Sequence, residues 1–123
     1  GNEYVHMLGV TGYNNGTYYA YQGETWRSFG EIYDKVQEEY EPHFIRFPWI
    51  ITEFASSSVG GDKAAWITDM FQRLGDYPNI HIAVWFSAAD YDEAGNPARP
   101  FWLDETEETL NAFREGLAGK WNL

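Results

Sequence analysis

Cysteine is absent from all 123 residues of the chain. Its absence excludes disulfide bonds, thiolate metal sites, iron–sulfur clusters and a cysteine nucleophile. A chain without cysteine fits an oxidising or a reducing compartment equally well, so the localisation stays open. Basic residues are scarce, with 8 Lys+Arg against 19 Asp+Glu and a formal net charge of -11. This charge argues against nucleic acid and anionic membranes as partners, because phosphate groups bind to basic surfaces.

Long hydrophobic runs are missing as well. No stretch approaches the ~18 consecutive apolar residues of a membrane span, so we expect no membrane-spanning segment. The first residues, Gly1-Asn2-Glu3, carry neither the basic region nor the apolar segment of a secretion signal. With 44% hydrophobic residues, the 123 positions suffice for one packed domain and are too few for two. Residues 1–123 are therefore interpreted as a single domain.

Aromatic residues are abundant, at 19% of the chain, with 6 Trp, 9 Tyr and 8 Phe. Two interpretations fit this excess. The aromatic side chains could form a large core, or they could provide flat apolar platforms on which a sugar ring stacks. Composition alone does not decide between them.

A pattern of strand, loop and helix occurs three times along the chain. The first unit is interpreted as a strand, a loop and a helix over residues 4–10, 12–23 and 26–40. Ser28 and Glu31 fit a capping box at the start of this helix. Pro42 is expected to end it, because proline has no N–H for the next helical hydrogen bond.

The second unit is interpreted as a short buried strand and a small-residue loop over residues 49–52 and 53–61, followed by a helix. Asp62 is a good helix N-cap, and Gly75 stands where a C-terminal glycine belongs. The helix has an apolar stripe that predicts its buried face: Trp66, Ile67, Met70, Phe71 and Leu74.

The third unit is interpreted as a strand and a polar loop over residues 80–86 and 87–100. Thr106 caps the last helix, whose inward side chains are expected to be Leu110, Phe113 and Leu117. One face of the strand is aliphatic and is expected to meet the helices: Ile80, Ile82, Val84 and Phe86. The other face has small, aromatic and polar residues, as the inside of a barrel has near its mouth: His81, Ala83 and Trp85.

Repeated βα units predict an α/β fold with parallel strands and right-handed crossovers. Three parallel strands are too few to close a barrel, which usually has eight over ~250 residues. Three units alone would leave one sheet face and both sheet edges uncovered. The sequence therefore predicts either part of a (β/α)8 barrel or an obligate oligomer.

Glu53 is the most conspicuous polar residue near a strand end. It directly follows an apolar run, and a carboxylate there is costly unless something uses or neutralises it. It could be a functional carboxylate, or a structural one that accepts backbone N–H groups of the next loop. The Tyr13 hydroxyl, from the preceding unit, could reach Glu53, favour its ionised form and fix its rotamer, which suits a nucleophile. For Tyr13 and for Trp85, a possible floor for a substrate, ordinary packing is the commoner alternative.

Residues 49–67, which include Glu53, closely resemble the segment around the seventh barrel strand of glycoside hydrolase family 26. That family contains β-mannanases and related β-glucanases and β-xylanases on a (β/α)8 barrel. The resemblance extends over nearly the whole chain, to a sixth-strand motif, an eighth strand and a last helix at residues 9–14, 82–86 and 102–114. It implies that the chain corresponds to units six to eight. His6 and Met7 depart from the family pattern.

The resemblance implies that Glu53 is the nucleophile of a retaining glycosidase and that Tyr13 is its hydrogen-bonding partner. It places Trp85 beneath the sugar, and we count Asn14 and Tyr18 among the substrate-binding residues. The implied partner is a β-linked oligosaccharide or polysaccharide, with no metal and no organic cofactor. Retaining enzymes need a second carboxyl group about 5–5.5 Å from the nucleophile. In the family it lies on the fourth strand, so the remaining units would come from another chain or a second copy.

Two alternatives stay open. Asp90, Asp92 or Glu93 could supply the second carboxylate, although loop acids are usually solvated. The segment around them half-matches a calcium loop, but Ala94 and Phe101 occupy ligand positions. The chain could instead be a non-catalytic, carbohydrate-binding or structural half-barrel that self-associates. An extracellular location is implied by the resemblance only.

Overall fold

The computed structural model describes residues 2–120. Its strands are β1 (Leu8–Asn14), β2 (Trp49–Ser56), β3 (Ile80–Trp85), β4 (Ala89–Tyr91) and β5 (Pro97–Pro100). Its α-helices are α1 (Phe29–Phe44), α2 (Lys63–Arg73) and α3 (Glu107–Lys120). Short 3-10 turns lie at Asn2–Tyr4, Ala20–Gln22 and Leu74–Asp76. In the part of the chain described, no helix is long and apolar enough to cross a membrane.

The main sheet has three parallel strands in the order β1-β2-β3, which confirms the α/β fold. The helices pack on one face of this sheet, where the core consists largely of aromatic side chains. The core residues are Phe29, Ile32, Tyr33, Ile51, Phe54, Trp66, Ile67, Met70, Phe71 and Tyr77. Much of the aromatic excess is therefore used for packing.

Helix α1 begins as the sequence predicts. The Ser28 hydroxyl accepts from the Glu31 backbone N–H at 3.2 Å, and the Ser28 N–H donates to the Glu31 carboxylate at 2.8 Å, which forms the capping box. The prediction that Pro42 ends the helix is wrong, since the helix continues to Phe44. A proline in the last turn removes a single helical hydrogen bond, and its would-be acceptor at exposed Glu38 can be hydrated.

Helix α2 also begins at its predicted cap, because the Asp62 side chain accepts from the Ala65 N–H at 2.9 Å. Gly75 does not form the predicted left-handed C-cap. Leu74, with right-handed helical geometry, is the C-cap, and the chain continues into the 3-10 turn Leu74–Asp76. This turn lets Tyr77, 3% exposed, enter the core.

The first two strands begin or end later than predicted. β1 begins at Leu8 because its partner strand begins opposite, at Trp49; residues 4–7 are exposed. β2 continues to Ser56, so Glu53 lies inside the strand and not after it. The predicted loops after both strands are correspondingly shorter. Hydrophobic periodicity missed these ends because their residues are small or polar.

The predicted faces of β3 are wrong. Ile82, Val84 and Phe86 are 45%, 47% and 38% exposed, on the face away from the helices. The cause is an extra residue early in β3: Ile80 lies opposite Trp49, but Ile82 lies opposite the next residue of β2. A bulge of one residue exchanges the two faces of the strand beyond it.

The loop predicted over residues 87–100 contains the antiparallel hairpin β4–β5. Asp92 organises its turn by accepting the backbone N–H groups of Ala94 and Asn96 at 2.9 and 2.8 Å. In α3, Thr106 is the predicted cap and accepts the Thr109 N–H at 3.1 Å. Phe113 packs on the core, whereas Leu117 is exposed, contrary to prediction.

Candidate active site

Tyr13 and Glu53 meet on the sheet face that the helices leave open. The Tyr13 hydroxyl donates a hydrogen bond to Glu53 Oε1. Tyr13 lies opposite Ala55 and Glu53 lies opposite Thr11, so the pair are diagonal neighbours across β1 and β2. The sequence predicted that the hydroxyl could reach the carboxylate, and the structure shows that contact.

A β-bulge in the central strand turns Glu53 to this face. Along β1, Val10 pairs with Ile51 and Thr11 pairs with Glu53, so Thr52 is an extra residue. The pairing with β3 shifts over the same stretch, between Ile51 and Phe54. Both neighbouring strands therefore place the irregularity at the same point of β2.

The bulge reconciles two demands on β2. Ile51 and Phe54 are three positions apart, yet both are buried in the core on the helix face, 0% and 2% exposed. In a regular strand, residues three apart point to opposite faces. With one extra residue between them, Thr52 and Glu53 are both exposed on the open face.

The loop after β2 does not use Glu53 as a backbone cap. The Val59 N–H donates to the Ser57 hydroxyl at 3.1 Å, the Ser57 N–H to the Asn14 carbonyl at 2.8 Å, and the Gly61 N–H to the Ser58 carbonyl at 3.4 Å. These groups find partners within the loop and in β1. The structural interpretation of Glu53, as an acceptor for that loop, therefore has no support at these three N–H groups.

Aromatic rings hold Tyr13 from the side. The Phe101 ring lies 5.1 Å from the Tyr13 ring, centroid to centroid, and the Phe86 ring lies 6.0 Å away, edge to face. The backbone N–H of Phe86 donates to the Phe54 carbonyl at 2.8 Å, which fixes its place beyond β3. Sequence reasoning missed Phe86 because it assumed a regular alternation along β3.

Trp85 does not join this group. It lies on the helix side, where its ring packs against Phe54, Trp66 and Phe113 at centroid distances of 5.3, 5.9 and 6.0 Å. Its indole N–H donates to the Phe101 carbonyl at 2.8 Å. This placement corrects the expectation that Trp85 faces the barrel interior, and it follows from the bulge early in β3.

Asn14 was predicted to bind the substrate. It is fully buried, at 0% exposure, so its side chain has no surface that a substrate could touch. Its amide N–H donates to the Ser56 hydroxyl at 2.9 Å, and its oxygen accepts the N–H groups of Gly16 and Arg27 at 3.1 and 3.0 Å. The Arg27 guanidinium in turn donates to the Tyr13 carbonyl at 2.9 Å. Asn14 and Arg27 therefore hold the end of β1 in place through these hydrogen bonds.

Tyr18 lies in the loop after β1, partly buried, with its ring edge-on to Tyr19 at 4.8 Å. Arg99 lies over the Tyr19 ring at 5.2 Å and donates to Asn15 at 2.7 Å. These contacts join the loop to the β4–β5 hairpin. Tyr18 thus lies on a different element from Glu53, in a loop attached to the hairpin.

Two acidic residues of the hairpin, Asp90 and Asp92, have structural partners, whereas Glu93 is exposed in the turn. Asp90 accepts from Arg99 at 2.9 and 2.5 Å, and this hydrogen bond holds the pKa of Asp90 below its usual value. Asp92 is occupied by the hairpin turn, which explains the half-match to a calcium loop. Neither arrangement offers Glu53 a free second carboxylate.

Lys63 is a buried cation that sequence reasoning missed. It is 3% exposed and donates to the carbonyls of Pro100 and Trp102 at 2.9 and 3.1 Å, and to the Glu105 carboxylate. Burial lowers its pKa, against the opposing effect of Glu105. Glu105 also accepts the Ser58 hydroxyl at 2.6 Å, so the pair joins the loop after β2 to the segment before α3. The signal was present, because Lys63 falls in register with the apolar stripe of α2.

Comparison with curated proteins finds similarity to an endoglucanase. The chain is 33% identical over 124 aligned residues to Endoglucanase H of Acetivibrio thermocellus, an alignment that includes 99% of this chain. The chain spans 13% of the length of that protein. No family model matches the chain, so membership of glycoside hydrolase family 26 stays a prediction.

Proposed function

We propose that this chain carries the nucleophile half of a retaining glycosidase site, with Glu53 as the attacking carboxylate and Tyr13 as the residue that orients it. The hydrogen bond between these side chains carries the proposal, because it aims a carboxylate over an open sheet face near the C-terminal ends of parallel strands. Active sites of βα barrels lie at this end. The similarity to an endoglucanase along 99% of the chain supports glycosidase activity in general.

In the proposed reaction, Glu53 Oε attacks the anomeric carbon while the bond to the leaving oxygen breaks. A protonated carboxyl group about 5–5.5 Å away gives its proton to that oxygen. Water, deprotonated by the same group, then cleaves the glycosyl–Glu53 ester and releases a sugar of retained configuration. Tyr13 would hold Glu53 before the attack and give up its hydrogen bond as the ester forms.

The second carboxyl group is proposed to come from barrel units outside this chain. The open face presents Ile82, Val84 and Phe86, each more than a third exposed. Strands beside the free edges of β1 and β3 would cover these apolar side chains and complete a hollow above Glu53. The units would come from a longer polypeptide, another chain or a second copy of this one.

The proposed substrate is a β-linked polysaccharide. The name of the relative indicates a glucan, whereas the family resemblance also includes mannans and xylans. Cellulose derivatives, mixed-linkage glucan, mannan and xylan are suitable test substrates. They would be assayed with the complete barrel, that is, this chain together with the proposed further units. Reducing ends released from one of these substrates would identify the substrate class.

Replacement of Glu53 tests the proposed role. In the complete barrel, we expect Glu53→Gln to reduce hydrolysis of the preferred polysaccharide by at least about 10³-fold, because the amide cannot form the covalent intermediate. Glu38→Gln, which makes the same change at an exposed position of α1, is expected to retain wild-type activity. Proton NMR of the product first released by the wild-type barrel should show the β-anomer, because a retaining mechanism keeps the configuration of a β-linked substrate. Undiminished activity of Glu53→Gln would remove Glu53 from the mechanism.

The exposed apolar residues of β3 also fit a second function, a half-barrel that self-associates and binds carbohydrate without cleaving it. Such a protein would bind oligosaccharides of the test substrates, and Glu53→Gln would leave this binding unchanged. It would release no reducing ends at any concentration.

A further inference from the structure

We propose that Thr52 is a positioning residue whose hydroxyl holds the β2 bulge that turns Glu53 toward Tyr13. The proposal rests on the glycosidase function proposed above, and it adds a residue to which neither the sequence pattern nor the family resemblance gave a role. Thr52 is exposed on the open face, directly before the candidate nucleophile.

Both branches of the Thr52 side chain lie near β1. Its hydroxyl donates to the Val10 carbonyl at 3.1 Å. Its methyl group lies 3.1 Å from the point where a side chain at Gly9 would begin, so a larger residue there would press on it. An exposed threonine on a regular strand would ordinarily point into solvent and make neither of these interactions with the neighbouring strand.

The hydroxyl acts where the strand pairing is irregular. Val10 is the last β1 residue before the register shift, and Thr52 is the extra residue opposite that shift. A bulge locally disrupts the ladder of backbone hydrogen bonds. The Thr52 hydroxyl supplies a link between β1 and β2 at this point, which favours the bulged arrangement over others.

The alternative arrangement would misplace the site. Without the extra residue, the β2 side chains beyond the bulge would exchange faces, so that Phe54 would leave the core and Glu53 would turn toward it. Even a partial shift would change the direction of the carboxylate relative to Tyr13. Misplacement by ~1 Å of a reacting group can lower a rate by about 10²-fold.

The test separates the hydroxyl from the rest of the side chain. Thr52→Val keeps the branched shape and removes the donor, and Thr52→Ser keeps the donor. Thr68→Val is the matched control, because the Thr68 hydroxyl also donates to a backbone carbonyl at 3.1 Å, that of Ala64 in α2. Thr52→Ala, which keeps no branched side chain, gives the same comparison if the valine variant does not fold.

The first measurement uses this chain and does not depend on catalysis. We expect nuclear Overhauser contacts between the Tyr13 ring and the Glu53 side chain to be lost or at least halved in Thr52→Val. The contact between Phe71 of α2 and Phe113 of α3, away from the bulge, should persist as evidence that the variant is folded. Thr52→Ser and Thr68→Val should resemble the wild type. Unchanged Tyr13–Glu53 contacts in Thr52→Val would overturn the proposal, whatever the protein's activity.

The second measurement uses the complete barrel and a 2-deoxy-2-fluoro-glycoside probe. We expect Thr52→Val to lower the rate of covalent labelling by roughly 10- to 100-fold, with the probe concentration at half-saturation changed less than about twofold. Thr52→Ser should restore most of the rate. Labelling of Thr52→Val at the wild-type rate would refute the positioning role of Thr52 and leave the proposed function of Glu53 intact. Failure of the wild type to be labelled would refute the proposed function of Glu53.

Discussion

Arg99 is one of the residues through which the β4–β5 hairpin is attached to the rest of the chain. Its guanidinium binds Asp90 within the hairpin, donates to Asn15 in the loop after β1, and lies over the rings of Tyr19 and Phe101. Because Phe101 also packs on Tyr13, this attachment supports one side of the candidate site.

The Asp90–Arg99 pair predicts a pH dependence. The hydrogen bond from Arg99 lowers the pKa of Asp90 in the folded chain, so Asp90 contributes stability above its ordinary pKa of 3.8 and loses that contribution as the pH falls through the lowered value. The carboxylate is 44% exposed, so solvent screening limits the effect to about 1 kcal/mol or less. We expect Asp90→Asn to lose less thermal stability than the wild type below pH ~4.

Melting temperatures measured from pH 7 to pH 2.5 check this expectation. Glu93→Gln removes another acidic residue from the same hairpin and should follow the wild-type curve, since Glu93 is exposed. Identical pH dependence of the wild type and Asp90→Asn would show that the pair does not stabilise the fold.

Among single residues, the sequence predicted partners that depend on local pattern and missed those that depend on packing. The Tyr13–Glu53 contact follows from two strand ends that lie side by side, and the Ser28 cap follows from its spacing to Glu31. The burial of Asn14 could not be predicted, because its hydrogen-bond partners Ser56 and Arg27 lie far from it in the sequence. The burial of Lys63 was signalled by its register with the apolar stripe of α2, but its partner Pro100 is again distant in the sequence. Polar residues become structural only when such partners exist.

At the scale of elements, α2 and α3 are in unusually close contact at Gly116. A Cβ atom at this position would lie 1.9 Å from the Phe71 ring, which itself packs edge-on against Phe113 at 5.5 Å. We expect Gly116→Ala to lower the free energy of unfolding by about 1–2 kcal/mol, because the overpacking cost exceeds the helix-propensity gain of alanine.

Urea unfolding provides the measurement, with Gly119→Ala as the control in the same helix. No atom lies within 4 Å of a Cβ built at Gly119, so this variant should be neutral or slightly more stable than the wild type. Equal stability of the two variants would contradict the close packing of α2 against α3.

The strands show why element type was easier to predict than register. Apolar runs correctly located three strands, but two single-residue bulges changed which side chains face the helices. The bulge in β3 reversed the predicted places of Trp85 and Phe86. A bulge has no hydrophobic periodicity of its own, so period-2 alternation cannot reveal it.

At the scale of the molecule, one sheet face is packed under helices and the other presents Glu53, Tyr13 and exposed aliphatic residues. Parallel sheets are ordinarily covered on both faces. This asymmetry agrees with the proposed partial barrel, in which further strands would cover the open face. The three-stranded sheet itself could be predicted from the repeated units, whereas the proposed completion of a barrel would depend on residues outside this chain.

The location of a trapped sugar tests the central claim most directly. The wild-type barrel would be inactivated with a 2-deoxy-2-fluoro-glycoside, digested, and mapped by tandem mass spectrometry. We expect the added sugar mass on Glu53, within the peptide that carries β2, because a retaining mechanism joins the sugar to the nucleophile. A label on any other carboxylate, or inactivation without a covalent adduct, would contradict the account.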